Sequence, residues 1–338
     1  MKTGQVSTLD MTNFRRGSEK ERLSFANELL KCLSTQGFVK LVNHGVSDQA
    51  VEKAFEMNGA FFKLPKSIKE KYKHPECANP NRGWVAPGQE DSSAITDFEK
   101  GEDKDGMSKF DVKESFDIGA PDDALYDNMW PTEDEFPGFC SYMEIFYNMM
   151  QDVHLDILRA LELVLDTPET PVKLIKQCTP NVSEMRLNSY PPVKIGDLKS
   201  GRYNRISEHT DFGTVTLLFQ DSVGGLEIED QSNMGTYFPV ECETKSTLLV
   251  NIGDTLQRLT NDRLTSVSHR VTLPISKQDV EHGTLEERRS VVYFAKVSRD
   301  QSIAPLESFV SEEEPAKYPE MSAFAWNQMK LEKIYGVC

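Results

Sequence analysis

The chain has 338 residues, of which 38% are hydrophobic and 27% are charged, and its formal net charge is −16. This composition is typical of a globular protein with a sizeable core, and it excludes collagen-like, low-complexity and wholly disordered classes. The acidic balance argues against a nucleic-acid substrate, because a negative surface repels a phosphate backbone.

The cysteines and the apolar stretches set an expectation about compartment. Six cysteines are scattered without a CxxC pair, which is typical of reduced thiols inside a cell. The N-terminal stretch lacks the apolar core of a secretory signal, and no run approaches the ~18 apolar residues of a membrane span. We expect a cytoplasmic protein, a monomer or weak homo-oligomer, with neither a membrane nor a nucleic acid as its partner.

The first half of the chain predicts mainly helices. Apolar positions at helical spacing indicate a helix over residues 19–35, and "GFVKLVNHGV" indicates a short strand with a turn. A second helix follows in "SDQAVEKAFEMNGAFFKLP", with Ser47 as its N-cap, and a third lies within residues 137–166. Residues 73–110 are rich in Pro, Gly, Asp, Ser and Lys, which predicts a long loop of the kind that often serves as a lid.

The second half changes character beyond about residue 183. Short runs such as "EMRLNSY", "TVTLLFQ", "STLLVNI" and "RSVVYFAKV" alternate with turn residues, a pattern typical of a jelly roll or barrel. A last helix is predicted in "SAFAWNQMKLEKIYG". We therefore predict an α+β protein with a mainly β core. It would be a single domain over residues 1–338, with a mostly helical region 1–182, a jelly-roll core 183–300 and a C-terminal helix within 301–338.

The stretch "SEHTDFGTVTLLFQD" carries the first candidate site. His209 and Asp211 are two residues apart just before an apolar run. In an extended segment, residues i and i+2 point to the same face, so these two side chains would converge on one spot. A metal site, a catalytic dyad and an ion pair all fit the pair taken alone, and so does a simple hydrogen-bonded pair in a loop.

His269, on the predicted strand "LTSVSHRVTL", narrows these alternatives. Two neutral imidazoles and one carboxylate form the two-histidine, one-carboxylate facial triad of non-haem Fe(II) oxygenases. Such a triad leaves coordination positions open for a chelating cosubstrate and for O₂. His209, Asp211 and His269 are therefore our candidate metal ligands.

Two same-face rows could anchor that cosubstrate. In "RRSVVYF", Arg288 and Ser290 stand two apart, and in "MRLNSYPP" so do Arg186, Asn188 and Tyr190. A guanidinium is a planar, permanently charged partner for a carboxylate, and hydroxyl groups add further donors. Arg288, with help from Ser290 and Tyr190, is our candidate for this role.

Taken together, these pieces resemble a known family. Eight stretches resemble, in their order and spacing, the isopenicillin N synthase-like branch of the Fe(II)/2-oxoglutarate-dependent dioxygenases. These stretches are "GFVKLVNHGV", "FFKLPKSIKEKY", "NRGWVAPGQE", "KESFDIG", "NSYPP", "HTDFGTVTLLFQDSVGGLEI", "VNIGDTLQRLTNDRLTSVSHRV" and "RRSVVYF". The resemblance covers almost the whole chain. It implies a double-stranded β-helix (jelly roll) braced by helices, with Fe(II), 2-oxoglutarate and O₂ as cofactor and cosubstrates.

The resemblance also implies roles for particular residues. His209, Asp211 and His269 would bind the iron, and the Arg-x-Ser pair Arg288 and Ser290 would hold the distal carboxylate of 2-oxoglutarate. Two further residues, Tyr190 and Asn188, would complete that site. The reaction would be oxidation of a small organic metabolite, most commonly hydroxylation, with desaturation and ring rearrangement as other outcomes, and it would release succinate and CO₂.

Some alternatives stay open at this point. Arg288 follows His269 by 19 residues, a longer separation than the family commonly has, so Arg289 is a possible substitute. An oxidase of the isopenicillin N synthase type, which uses no 2-oxoglutarate, would use the same triad. A non-catalytic ligand-binding relative and a zinc hydrolase are two further alternatives.

Substrate contacts are harder to predict. Arg186 could meet a polar or acidic substrate, or it could form an ion pair with one of many carboxylates. Phe294 shares a face with Arg288 and, like Phe212 beside Asp211, could wall the substrate, but a barrel core needs such residues too. Trp84 in "NRGWVAP" could contact substrate or anchor the long loop from an exposed position.

Overall fold

A computed structural model describes residues 5–75, 80–90, 111–166, 171–200 and 204–335 of the chain. Its α-helices are α1 (Thr12–Arg15), α2 (Glu19–Gln36), α3 (Asp48–Phe62), α4 (Lys66–Lys69), α5 (Phe139–Leu165), α6 (Leu174–Gln177), α7 (Ile195–Lys199), α8 (Asp254–Leu259) and α9 (Ala323–Tyr335). Single 3₁₀ turns cover Glu70–Tyr72, Ile275–Lys277 and Glu307–Phe309. The four long helices expected from the sequence are confirmed. Most of the predicted loop 73–110 lies outside the described residues.

Local capping explains where the long helices begin and end. Ser18 and Glu21 form a reciprocal capping box at the start of α2, and Gly37 ends that helix at a φ of 67°. A Cβ at Gly37 would meet a methyl carbon of Val267 at 2.3 Å, so both conformation and space favour glycine there. At the start of α3, the Ser47 side chain accepts a hydrogen bond from the backbone N–H of Ala50, as expected of an N-cap.

The strands form two principal sheets. They are β1 (Thr8–Asp10), β2 (Phe38–Val42), β3 (Gly83–Val85), β4 (Glu114–Gly119), β5 (Glu184–Tyr190), β6 (Val193–Lys194), β7 (Ile206–His209), β8 (Val215–Gln220), β9 (Leu226–Glu229), β10 (Tyr237–Pro239), β11 (Leu248–Ile252), β12 (His269–Val271), β13 (Thr284–Leu285) and β14 (Arg288–Phe294). The large sheet has the order β1-β2-β11-β8-β14-β5-β4-β3, and the small sheet has the order β10-β9-β12-β7. The short strands β6 and β13 pair separately.

The first half of the chain contributes more sheet than its pattern predicted. Strands β1 to β4 all belong to the large sheet, where β4 pairs with β5 and β2 pairs with β11. Only β2 was expected, because β1 and β3 have three residues each and β4 shows no alternation of polar and apolar residues. The region 1–182 is therefore helical on the outside, but it also supplies both edges of the large sheet.

Strand β11 separates two hydrophobic clusters. Leu248, Val250 and Ile252 pack into the main core, which the long helices α2, α3 and α5 cover. Leu249, on the opposite face, joins a second cluster with Phe38 and with apolar residues of the small sheet. The alternation follows from the pleat of a strand. It leaves the inner face of the large sheet facing the small sheet, and a cavity lies between the two.

None of the helices in the described part of the chain combines the length and the apolar character that a bilayer crossing requires.

Candidate active site between the two sheets

The cavity between the sheets has a volume of about 120 Å³. Strands β5, β8, β11 and β14 supply one wall, strands β7, β9 and β12 supply the other, and the C-terminal helix α9 adds Leu331. Ten of the eleven residues proposed from the sequence as metal, cosubstrate or substrate contacts line this cavity: His209, Asp211, His269, Arg288, Ser290, Tyr190, Asn188, Arg186, Phe212 and Phe294. The exception is Trp84, and the alternative Arg289 does not line the cavity either.

The two histidines and the aspartate form one compact cluster. One ligand atom from each of His209, Asp211 and His269 lies within 4.8 Å of the other two. Nε2 of His209 is 3.9 Å from Oδ1 of Asp211, and Nε2 of His269 is 3.7 Å from Oδ2. The two imidazole centroids are 4.4 Å apart. One ion could therefore reach all three side chains.

The backbone brings His209 and Asp211 together in a different way from the shared strand face that the sequence predicted. His209 is the last residue of β7, so Asp211 is not on the same strand and strand alternation does not align the pair. Instead, the chain turns before β8, and the backbone N–H of Asp254 holds the carbonyl oxygen of Asp211 at 2.7 Å. His269 is brought in by pairing, because it faces His209 directly across strands β12 and β7.

Neighbouring groups orient the three side chains. Nδ1 of His209 lies 2.8 Å from the carbonyl oxygen of Ser207, and Nδ1 of His269 lies 3.2 Å from that of Val267. A carbonyl oxygen only accepts, so each Nδ1 carries the proton and each Nε2 presents its lone pair to the cluster. On β11, Nδ2 of Asn251 donates to Oδ2 of Asp211 at 2.7 Å.

The protonation states suit a metal ion. Burial, together with the nearby His269, lowers the pKa of His209 to about 4, so its imidazole is neutral at neutral pH. Burial alone would raise the pKa of Asp211, but the two imidazoles and the Asn251 amide hold it below its ordinary value. A neutral imidazole and an ionised carboxylate are the ligand forms that metals bind. The donor set matches the facial triad of non-haem iron sites.

Arg288 lies at the other end of the same cavity and is only 1% exposed. Its Nη2 donates to Oε1 of Gln220 at 2.8 Å, and its guanidinium stacks 4.8 Å from the ring centroid of Tyr190. Its Nε and Nη1 meet no hydrogen-bond partner among the described residues. A buried guanidinium with two idle donors is costly, so this end of the cavity is suited to an anionic ligand.

Strand pairing places the neighbours of Arg288 on the same face. Arg288 pairs with Tyr190 across β14 and β5, and Ser290 pairs with Asn188. Nδ2 of Asn188 donates to Oγ of Ser290 at 3.2 Å. Arg289 points the other way and binds Glu287 through Nε at 3.1 Å. The geometry therefore favours Arg288 over Arg289 as the guanidinium of this site.

Arg186 lines the cavity but is fully engaged by protein groups. Its Nε and Nη2 donate to the two carboxylate oxygens of Asp117 at 2.7 and 2.9 Å, and Nη2 is 2.9 Å from a carboxylate oxygen of Glu90. These charges hold the pKa of Arg186 far above its ordinary range despite its burial. The ion-pair alternative raised from the sequence is thus the one the structure adopts.

The three aromatic candidates fall in different places. Phe212 and Phe294 both line the cavity, beside the triad and on β14 respectively. Trp84 is 3% exposed, its indole N–H donates to Glu114 at 2.8 Å, and the ammonium of Lys69 stacks on its ring. Neither expectation for Trp84, a substrate contact or an exposed anchor, matches this position, because β3 carries the residue into the sheet edge away from the cavity.

Sequence reasoning missed several residues of this region. Gln220 and Asn251 lie on the inner faces of β8 and β11, a position that strand alternation could have indicated. Arg205 is fully buried 5.9 Å from the ring centroid of Tyr190, and Lys113 lines the cavity from just before β4. Neither lies in a recognisable strand pattern, so no local signal marked them.

Comparison with known proteins identifies the class. Residues 6–133 match the family described as the non-haem dioxygenase in morphine synthesis N-terminal, and residues 181–296 match the 2OG-Fe(II) oxygenase superfamily. The chain therefore belongs to the 2OG-Fe(II) oxygenase superfamily, and its isopenicillin N synthase-like character fits both matches.

Particular relatives are similar over nearly their whole length. The 2-oxoglutarate-Fe(II) type oxidoreductase ppzD of Metarhizium rileyi is 49% identical, over 98% of this chain and 92% of the relative. The proline hydroxylase buaE of Petromyces alliaceus is 43% identical, over 98% and 100%. A full-length Neurospora crassa protein, whose crystal structure was solved in complex with alpha-KG, is 29% identical, with a TM-score of 0.84 over 98% and 97%.

These findings establish the activity. The protein is an oxidoreductase that uses Fe(II), 2-oxoglutarate and O₂ to oxidise a small metabolite.

Proposed function

We propose that His209, Asp211 and His269 hold the Fe(II) of this enzyme, and that Arg288 and Ser290 bind the distal carboxylate of 2-oxoglutarate. The observation that carries the proposal is the buried Arg288 guanidinium, whose idle donors face the same cavity as the three candidate iron ligands. When bound, iron and 2-oxoglutarate would supply the oxidising chemistry with O₂, and 2-oxoglutarate would be converted to succinate and CO₂.

The remaining residues of the cosubstrate end have supporting roles in this proposal. The Tyr190 ring packs against the Arg288 guanidinium, which limits the directions that its N–H groups can take. The Asn188 amide donates to Oγ of Ser290, which leaves the Ser290 hydroxyl proton available to a ligand. Gln220 fixes the third nitrogen of Arg288. A pre-oriented set of donors binds a carboxylate without the entropy cost of ordering them.

We propose hydroxylation of a C–H bond of a small amino or imino acid as the reaction. The proline hydroxylase among the relatives supports this substrate class, and so does a small cavity whose inner wall carries apolar groups of Leu218, Val292 and Phe294. Those side chains exclude water and leave space for a small molecule next to the triad. Phe212 and Phe294 are the wall residues that we expect to touch the substrate.

The wider architecture is part of the same proposal. The two facing sheets would be the walls of a double-stranded β-helix, and residues 1–338 would form a single domain in which the helices brace the large sheet. Four free cysteines among the described residues support a reducing, cytosolic compartment. We further propose a monomer or weak homo-oligomer that does not act on nucleic acid, in keeping with the net charge of −16.

Replacement of His269 tests the iron site. We expect His269→Ala to reduce Fe(II)-dependent succinate formation below detection, because two ligands bind iron far more weakly than three. The exposed His282, outside the cavity, is a matched control, and His282→Ala should keep full activity. Circular dichroism checks that both variants are folded. Full activity in His269→Ala would contradict the proposed triad.

The stoichiometry of succinate separates the two oxidative alternatives. A 2-oxoglutarate-dependent enzyme releases one succinate for each product, whereas an oxidase of the isopenicillin N synthase type turns over without 2-oxoglutarate. Omission of 2-oxoglutarate should therefore stop substrate oxidation completely.

A further inference from the structure

A second buried guanidinium lies close to the cosubstrate end of the cavity. Arg205 directly precedes β7 of the small sheet, whereas Arg288 and Tyr190 lie on β14 and β5 of the large sheet. The guanidinium carbon of Arg205 is 5.9 Å from the centroid of the Tyr190 ring, and that of Arg288 is 4.8 Å from the same centroid. One cation from each side of the cavity therefore packs against a single aromatic ring.

The surroundings of Arg205 contain no charged partner for it. Its Nη2 donates to the backbone carbonyl oxygen of Glu286 at 2.6 Å, and its Nε and Nη1 meet no hydrogen-bond partner among the described residues. The carboxylate of Glu286 itself is on an exposed side chain. Asp221 acts on Arg205 only from a distance, because its two carboxylate oxygens accept the backbone N–H groups of Val223 and Arg289. Arg205, like Arg288, is therefore a fully buried cation that is bound by neutral groups alone within the described part of the chain.

The two guanidinium charges are close enough to repel each other. They are less than about 11 Å apart, because both lie against the ring of Tyr190, and buried charges at such a separation interact with little screening. Burial, and after it the charge of Arg288, lowers the pKa of Arg205 to about 10, so the side chain remains charged at neutral pH. Two buried cations that repel each other cost stability unless an anion joins them. In the function proposed above, the distal carboxylate of the cosubstrate is that anion.

Arg205 does not line the cavity, so its influence on a ligand is indirect. One route is Tyr190, which lines the cavity and packs against both guanidinium groups. A second route is the backbone, because the bond from Arg205 to the Glu286 carbonyl holds the chain two residues before Arg288. The third is the electric field of the charge, which acts on an anion without contact.

We propose that Arg205 is a positioning residue for the cosubstrate. It stabilises the orientation of Tyr190 and adds a second positive charge, so that the site selects a 2-oxo acid with an anionic distal group over one with a neutral distal group. The inference rests on the function proposed above, in which Arg288 binds the distal carboxylate of 2-oxoglutarate. It adds to that function a cation from the opposite sheet, which the Arg-x-Ser pair does not include.

The affinities for two ligands of similar shape test this role. One is 2-oxoglutarate, and the other is 5-methyl-2-oxohexanoate, in which an uncharged isopropyl group replaces the distal carboxylate. Calorimetric titration of each into the Fe(II)-loaded chain, without O₂, measures binding without turnover. For Arg205→Met we expect the Kd of 2-oxoglutarate to rise roughly tenfold and that of the uncharged analogue to change less than about twofold, because the lost charge acts on the anion alone. The preference for the anionic ligand should fall accordingly.

Three further variants make the result specific. Arg205→Lys keeps the positive charge and should recover most of the preference for 2-oxoglutarate. Arg205→Gln keeps a donor for the Glu286 carbonyl but loses the charge, so it should lose the preference even if Arg205→Met does not fold. Arg258 is the matched control, because it is also a buried guanidinium with an idle nitrogen that stacks on aromatic rings, but it does not contact Tyr190. Arg258→Met should keep the wild-type ratio of the two Kd values.

The possible outcomes separate this inference from the proposed function. Equal weakening of both ligands in Arg205→Met would indicate a purely structural role and would overturn the inference, and so would a preference unchanged from wild type. An equal loss of preference in Arg258→Met would also overturn it. If wild type itself bound both ligands equally well, the distal carboxylate would not be recognised, and the proposed role of Arg288 would fail first.

Discussion

Two arginines on neighbouring strands face the same cavity, and their guanidinium groups have opposite surroundings. Arg186 on β5 makes a bidentate ion pair with Asp117 and a second pair with Glu90. Arg288 on β14 binds one neutral amide and has two nitrogens without a partner among the described residues. Both side chains are largely buried. The two arginines differ in whether the chain itself supplies the negative charge that neutralises the guanidinium.

The free-energy cost of burying a charge explains why the two environments differ. Burial of an unpaired charge costs several kcal/mol, so a protein keeps one only where something else neutralises it. At Arg186 that partner is part of the chain, and the residue is structural. At Arg288 the described residues supply no anionic partner, which supports the proposal that the distal carboxylate of the cosubstrate binds there.

Removal of Arg186 should have the largest effect on stability. Arg186→Met leaves Asp117 buried without its cation and leaves Glu90 with Lys113 alone, and we expect the free energy of unfolding to fall by about 3–5 kcal/mol. Urea unfolding measures it. The exposed pair of Arg159 with Asp156 offers a control, and Arg159→Met should cost less than about 1 kcal/mol. An equally small loss in Arg186→Met would remove the distinction between the two arginines.

Replacement of Arg288 should weaken the binding of 2-oxoglutarate and change the stability of the protein little. Arg288→Lys keeps the charge but loses the planar fork, and we expect the KM for 2-oxoglutarate to rise on the order of 100-fold, or about 2.7 kcal/mol. Stability should change little, because the wild-type donors are already idle. Arg289→Lys, one residue along and facing Glu287, should leave this KM unchanged. The reverse result would assign the cosubstrate to Arg289.

Replacement of His154 tests whether a buried polar side chain without a hydrogen-bond partner always indicates a ligand-binding site. It lies in α5, fully buried, with neither ring nitrogen bonded within the described part of the chain, and it does not line the cavity. Burial lowers its pKa to about 3. Protonation therefore favours the unfolded chain, where the pKa is near 6.5, and stability should fall as pH drops below about 6.5.

The expected loss of folding stability due to His154 is modest. Between pH 7.5 and pH 6, wild type should lose about 1 kcal/mol more than His154→Leu, and the KM for 2-oxoglutarate should be the same in both. Chemical denaturation at the two pH values measures the first quantity. A changed KM for 2-oxoglutarate would show that His154 influences ligand binding in the cavity and is more than a core residue.

Much of the site was predictable because it is built on strand alternation. Arg288, Ser290, Val292 and Phe294 follow the period of two, and so do residues 186, 188 and 190 on β5. The partners of these residues were not predictable. Asp117 is 69 residues from Arg186, and its strand β4 carries no clear alternation. Periodicity reports which face a residue occupies, and it carries no information about which distant segment covers that face.

The position of β14 in the large sheet has a consequence for how the chain folds. It is the last described strand along the sequence, yet it lies between β8 and β5 in the middle of the sheet. Without β14 the sheet would consist of two ribbons, β2-β11-β8 and β5-β4-β3, each with an unpaired edge. We therefore expect a chain that lacks residues 288–294 to aggregate through these two edges.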